Sequence, residues 1–188
     1  MCKTCNTNPV YEFTNKRKLC RWCFINYFQR KTLYIIRKFG MIKPRQTIAY
    51  RNKNDFRTKA LEDILKMFCG KSTSWVVKFS KNKKFDRLAV SNTLDMESEE
   101  VIDKIIKGDI SKLKVSPIEK KEKLVIKPLY LFLDAEVLLY AKLRHLKFKE
   151  EKNKKNKINS FINELEKRHP EIKRAIINSY LSIFDFRN

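Results

Sequence analysis

The chain has 188 residues, of which 43% are apolar, enough for one core of ordinary size and a small appendage. Lysine and arginine number 43 against 21 acidic residues, a net charge of +22 that exceeds what solubility needs and favours a polyanionic partner, nucleic acid ahead of a membrane surface. No apolar run approaches the ~18 to 20 residues that span a bilayer and no basic-then-apolar leader opens the sequence, so a cytoplasmic protein with no membrane partner is expected.

The first stretch, CKTCNTNPVYEFTNKRKLCRWCF, holds two Cys-x-x-Cys pairs. A reducing compartment disfavours disulfides, so Cys2, Cys5, Cys20 and Cys23 read as four thiolate donors in the spacing of a zinc ribbon, predicting one structural zinc per chain. A thioredoxin-like centre would use one pair and leave the other unexplained. Next, FINYFQRKTLYIIRKFG has the apolar spacing of an amphipathic helix with Gly40 as its stop. No acidic residue occurs from position 13 to position 54. Lys16, Arg17, Lys18 and Arg21 on the ribbon, with Arg30, Lys31, Arg37 and Lys38 on the helix, are therefore expected to form one surface that meets phosphates. Trp22 and Tyr27 have two readings, stacking on splayed bases or packing against the metal site. Ribbon and basic helix together make a first unit, residues 1–40, and the rest, 41–188, a second.

The second unit opens with a short strand near Gln46 to Tyr50, a loop YRNKND, and a helix from Asp55, its N-cap, to Phe68. Strand, loop and helix begin many nucleotide folds, but those loops need glycine for the backbone to approach phosphate, and this one has none. No P-loop pattern occurs elsewhere, so no ATP is expected. Cys69 reads as a small buried residue. SWVVKF predicts a second strand and KLVIKPLYLF a third. Between them FDRLAVSNTL and SEEVIDKIIKG carry helical spacing, with Ser98 marking a start. DAEVLLYAKLRHL predicts a helix opening at Asp134, KFKEEKNKKNK a surface loop, and the last stretch two helices broken at His169-Pro170. The alternation favours a parallel sheet covered by helices. His145 and His169 lack ligand-spaced neighbours and read as surface groups, and no nucleophile triad or HExxH pattern is present.

Taken in order, CKTC…CRWCFINYFQRKTLYIIRKFGMI, the unit after KPRQTIAY, FDRLAVSNTL, KPLYLFLDAEVLLYAKL and FINELEKRHPEIKRAIINSYLSIF resemble the cytoplasmic tRNA 2-thiolation proteins. That family pairs a catalytic subunit, with a Ser-Gly-Gly-x-x-Ser pyrophosphate loop and a Cys-Pro pair, with a second subunit. Here YRNKND and KEEKNKK stand at those places, so the chain is more similar to the second subunit, the tRNA 2-thiolation protein 2 family, in shortened form. The resemblance implies an α/β fold: an N-terminal zinc ribbon plus a reduced parallel-sheet, pyrophosphate-loop ATPase-like (adenine nucleotide alpha hydrolase-like) domain. It further implies a non-enzymatic subunit of a heterodimer, binding tRNA for thiolation of wobble uridine U34 in lysine, glutamine and glutamate tRNAs. The sulfur would come from a thiocarboxylated ubiquitin-like carrier. The alternative reading is a stand-alone zinc-ribbon RNA-binding protein of the ribosome or its assembly.

Overall fold

In the computed structural model, residues 1–81, 83–109, 118–120, 124–150 and 157–185 are described. The ribbon is a two-stranded antiparallel pair, β1 (Tyr11–Glu12) and β2 (Lys18–Leu19), which runs straight into helix α1 (Arg21–Lys38). Helix α1 buries Phe24, Ile25, Phe28, Thr32, Ile35 and Ile36, a stripe at the i, i+4, i+8, i+11 spacing that puts one side against the rest of the protein. It ends where the spacing predicted. Gly40 takes a φ of +55°, and the N–H groups of Gly40 and Met41 reach back to the carbonyls of Arg37 and Ile36 at 3.1 and 2.9 Å, the left-handed close that glycine allows without a steric penalty.

Strand β3 (Thr47–Tyr50) then leads to α2 (Phe56–Cys69), β4 (Trp75–Lys78) follows, and β5 (Arg87–Ala89) leads to α3 (Leu94–Ile106). After β6 (Ile118–Lys120) and β7 (Leu124–Ile126) come α4 (Asp134–Leu143), α5 (Lys157–Arg168) and α6 (Ile172–Asp185). The sheet order is β4-β3-β5-β7-β6, with β4, β3, β5 and β7 parallel and β6 antiparallel at one edge. The α/β class, the parallel sheet and the N-terminal four-cysteine group are thus those expected.

Three details differ from the sequence reading. FDRLAVSNTL is not helical before its last residue: Arg87, Leu88 and Ala89 form a central strand between β3 and β7. Such a strand is covered on both faces and only three residues long, so it has no alternation to reveal it, and the buried Arg87 keeps its guanidinium paired with the Gln46 side chain at 3.0 Å. The following helix starts at Leu94 with Thr93 as N-cap, and Ser98 lies inside it, donating to the Asp95 carbonyl at 3.0 Å. The third strand is also shorter than its apolar run, because Lys127-Pro128 ends the ladder and Leu129, Tyr130 and Phe132 continue into the core as a turn. The predicted surface loop lies partly outside the described residues, at 151–156.

The main core runs without a break from the ribbon to the sheet, through Leu19, Phe24, Phe28, Ile48, Leu61, Ile64, Phe132 and Tyr140. Phe28 is its link, its ring 4.1 Å from that of Tyr140 and 4.2 Å from that of Phe132. A second, smaller cluster joins α3 and α6 through Leu94, Val101, Ile177 and Tyr180.

Candidate metal centre and cationic helix

The four cysteines converge from two local devices. Cys2 sits in a tight turn closed by its own N–H to the Thr7 carbonyl at 2.8 Å and by the Asn6 N–H to the Cys2 carbonyl at 3.0 Å, with Asn6 at positive φ. Cys20 is the N-cap of α1 and Cys23 lies in its first turn, where the unpaired N–H groups and the positive end of the helix dipole favour thiolates. All four sulfurs lie within 4.8 Å of one another, with Cys5 Sγ 3.3 Å from Cys20 Sγ and 3.7 Å from Cys23 Sγ. A tetrahedral ion at the usual Zn–S bond of about 2.3 Å separates its sulfurs by about 3.8 Å, so the donor set fits a single ion. The Thr4 backbone N–H, ahead of other causes, lowers the Cys2 thiol to about 6, and the Thr7 hydroxyl lowers Cys20, while hydrogen bonding with Cys20 pushes Cys23 up to about 12.

The eight expected phosphate contacts do not form one uniform surface. Arg17, Arg30 and Lys31 line a cleft of about 390 Å³ beside the metal site, together with Thr4, Asn26 and Tyr34. Arg17 lies over the Phe13 and Tyr27 rings at 5.2 and 5.3 Å. Lys31 points inward, donating to the Tyr27 hydroxyl and the Leu131 carbonyl, both at 3.1 Å, and its burial lowers its pKa. Lys18 pairs with Glu12 at 3.2 Å, and Arg21 donates to the Leu143 carbonyl and His145 Nε2 at 2.9 and 2.7 Å. Lys16 is exposed in the turn between β1 and β2, and Arg30, Arg37 and Lys38 are exposed on α1. Among the described residues, Arg30 and Arg37 have no carboxylate partner. Of the aromatic part of this face, sequence reasoning named Trp22 and missed Tyr34. Trp22 and Tyr34 are 74% and 62% exposed, whereas Tyr27 is half-buried, and the exposed positions 22, 26, 30 and 34 recur every fourth residue, a signal already present in the sequence.

A second cleft, about 300 Å³, opens at the carboxyl ends of β3, β5 and β7, lined by Arg51, Lys53, Leu88, Ser91, Asn92 and Met96 among others. Chain order reverses between β3 and β5, which makes this the topological switch point where open α/β sheets bind ligands. The nearby N-terminus of α2 is already capped, because buried Asp55 accepts from the Thr58 N–H at 2.6 Å. One wall rests on a buried ion pair, Lys127 Nζ with Glu97 at 2.9 Å, and Asn92 donates to the same carboxylate at 2.7 Å. Cys69 is buried at the end of α2, and its burial raises its pKa.

No protein-family profile matches the sequence, and no curated protein matches it. Among solved structures the chain is similar to the U34-tRNA thiolase NcsA from Methanococcus maripaludis with its 4Fe-4S cluster, at 19% identity and a TM-score of 0.76, over 98% of this chain and 87% of that one. At this identity the likeness establishes the fold. It also corrects one expectation, that the chain is not an enzyme: the protein whose fold it shares is itself an enzyme, a tRNA thiolase, so the fold gives no ground for denying activity. Among the described residues no helix is long and apolar enough to cross a membrane.

Proposed function

We propose that this chain binds tRNA and takes part in the 2-thiolation of its wobble uridine, U34. The observation that carries the reading is the overlay of 98% of the chain on a U34-tRNA thiolase. The cationic face beside the metal centre supports tRNA as the ligand, with Lys16, Arg17, Arg30, Arg37 and Lys38 supplying the positive charge at the surface, while Lys18, Arg21 and Lys31 are engaged by Glu12, the Leu143 carbonyl and the Leu131 carbonyl. Lysine, glutamine and glutamate tRNAs are the substrates, a thiocarboxylated ubiquitin-like protein is the sulfur carrier, and a second thiolation subunit is the partner in a cytoplasmic heterodimer. Residues 1–40 form the unit that holds the RNA and 41–188 the unit built on the sheet.

Zinc is the metal we assign to Cys2, Cys5, Cys20 and Cys23. A 4Fe-4S cluster is bound with each cysteine on a different iron, spreading the sulfurs wider than one ion does, and sulfurs all within 4.8 Å favour the single ion. Metal analysis should find one zinc per chain and no iron–sulfur absorption. For function, the protein is purified alone and with whatever subunit copurifies, and tRNA affinity and U34 thiolation are measured for each. Tight, salt-sensitive tRNA binding and loss of 2-thiouridine in cells lacking the chain are expected. Normal wobble thiolation in those cells, with the protein on ribosomal particles instead, would sink the reading.

A further inference from the structure

Helix α1 has a dry side and a wet side, and the wet side is not that of an ordinary solvated helix. A solvated face carries charges of both signs, whereas Trp22, Asn26, Arg30, Tyr34, Arg37 and Lys38 present two large rings and three cations to solvent with no acidic residue. Each ring has a cation beside it. The Arg21 guanidinium lies 5.8 Å from the Trp22 ring centre and Lys38 Nζ 5.9 Å from that of Tyr34. Neither ring completes the core, which Phe24 and Phe28 fill from the other side of the helix.

We propose that this face of α1 is a platform for single-stranded RNA, with bases stacked on Trp22 and Tyr34 and the phosphates between them held by Arg30 and Arg17 at the cleft. Rings accept any base because every base has a π-face, and a cation beside the ring adds to the stack while neutralising the adjoining phosphate. Twelve residues of helix place the two rings about 18 Å apart along the axis and about a third of a turn around it, so the strand crosses α1 obliquely, over the cleft. That distance spans about five stacked nucleotides at 3.4 Å each. A duplex turns its bases inward and offers neither ring a partner, so the platform selects unpaired segments. This proposal rests on the RNA-binding reading of the same helix and says which part of an RNA it takes.

The test uses the full-length, metal-loaded protein carrying Trp75→Phe, which leaves Trp22 as the single tryptophan of the two in the chain. A short oligouridylate and an RNA duplex with the same number of phosphates are titrated while tryptophan fluorescence is read. The expected result is quenching by the single strand and tighter binding of it than of the duplex. Trp22→Ala and Tyr34→Ala should each weaken that binding roughly five- to a hundredfold, and Trp22→Phe should keep most of it. Arg30→Ala should flatten the slope of log affinity against log salt by about one. Circular dichroism checks that the variants fold, as exposed positions should. Equal affinity for the duplex, unchanged binding by Trp22→Ala, or Trp22 shielded only when a protein subunit is added would each overturn the platform. If tRNA binding and U34 thiolation survive both alanine variants, the platform fails and the thiolation reading stands. If oligouridylate binding depends on Trp22 and U34 thiolation never requires the chain, the reverse holds.

Discussion

The metal ribbon with α1 and the switch-point end of the sheet are both concave and basic, yet they treat charge in opposite ways. At the ribbon, Arg30 and Arg37 stand at the surface without a carboxylate, and the sulfurs of four cysteines are gathered for a cation. At the switch point the polar groups behind the cleft are spoken for, while Arg51 and Lys53 stay exposed at its mouth: Asp55 caps α2, Glu97 binds Lys127 and Asn92, and Arg57 Nε donates to Asp134 at 2.7 Å. The first region combines surface cations with gathered sulfurs, whereas the second ties its buried polar groups to one another. What a cleft can do is set by which of its charges remain uncommitted rather than by how many it has.

Removing the metal should break this contrast most severely. The ribbon contributes Cys2, Leu19 and Cys20 to the main core, and metal affinity at such sites is folding free energy, so a strong chelator or Cys20→Ser should cost several kcal/mol, seen as a large fall in Tm and loss of RNA binding together. Phe28→Ala comes next: it cuts the link to Phe132 and Tyr140 and should lower stability by about 4 kcal/mol in urea titrations, with metal stoichiometry unchanged. Lys127→Ala leaves Glu97 buried without its cation, where burial already raises the carboxyl pKa, and should cost about 3 kcal/mol. The double variant Glu97→Gln, Lys127→Met should recover much of that loss, because neither half is then a stranded charge. Asp55→Ser is the smallest and sharpest. An oxygen cap remains, so stability should change by no more than about 0.5 kcal/mol, while pyrophosphate should raise the Tm of this variant and leave the native protein unmoved.

Much of this was legible in the sequence because it is local. The Cys-x-x-Cys pairs lie within the first 23 residues, and the caps at Gly40 and Asp55 stand at the places their turn chemistry dictates. Strand β5 was not legible, since it is only three residues long and its ladder partners β3 and β7 come from distant parts of the chain. For the same reason the inward turn of Lys31 was hidden. Its sequence neighbours are basic and solvent-like, but its partner is the Leu131 carbonyl, and its ammonium lies 4.3 Å from the Phe132 ring. Charge predicted a cationic helix correctly and could not say which cations it had already used.

The long reach of α1 also governs how the protein is made. Gln29 bonds Tyr140 and Lys31 bonds the Leu131 carbonyl, partners 111 and 100 residues further on. At a synthesis rate of roughly 5 to 20 residues per second, the apolar side of α1 waits about 5 to 20 seconds for α4 to emerge. The four sulfurs need no such wait, because all are present once residue 23 has left the ribosome. Metal capture can therefore close the ribbon first, keeping a newborn sticky helix anchored at one end until the sheet arrives to cover it.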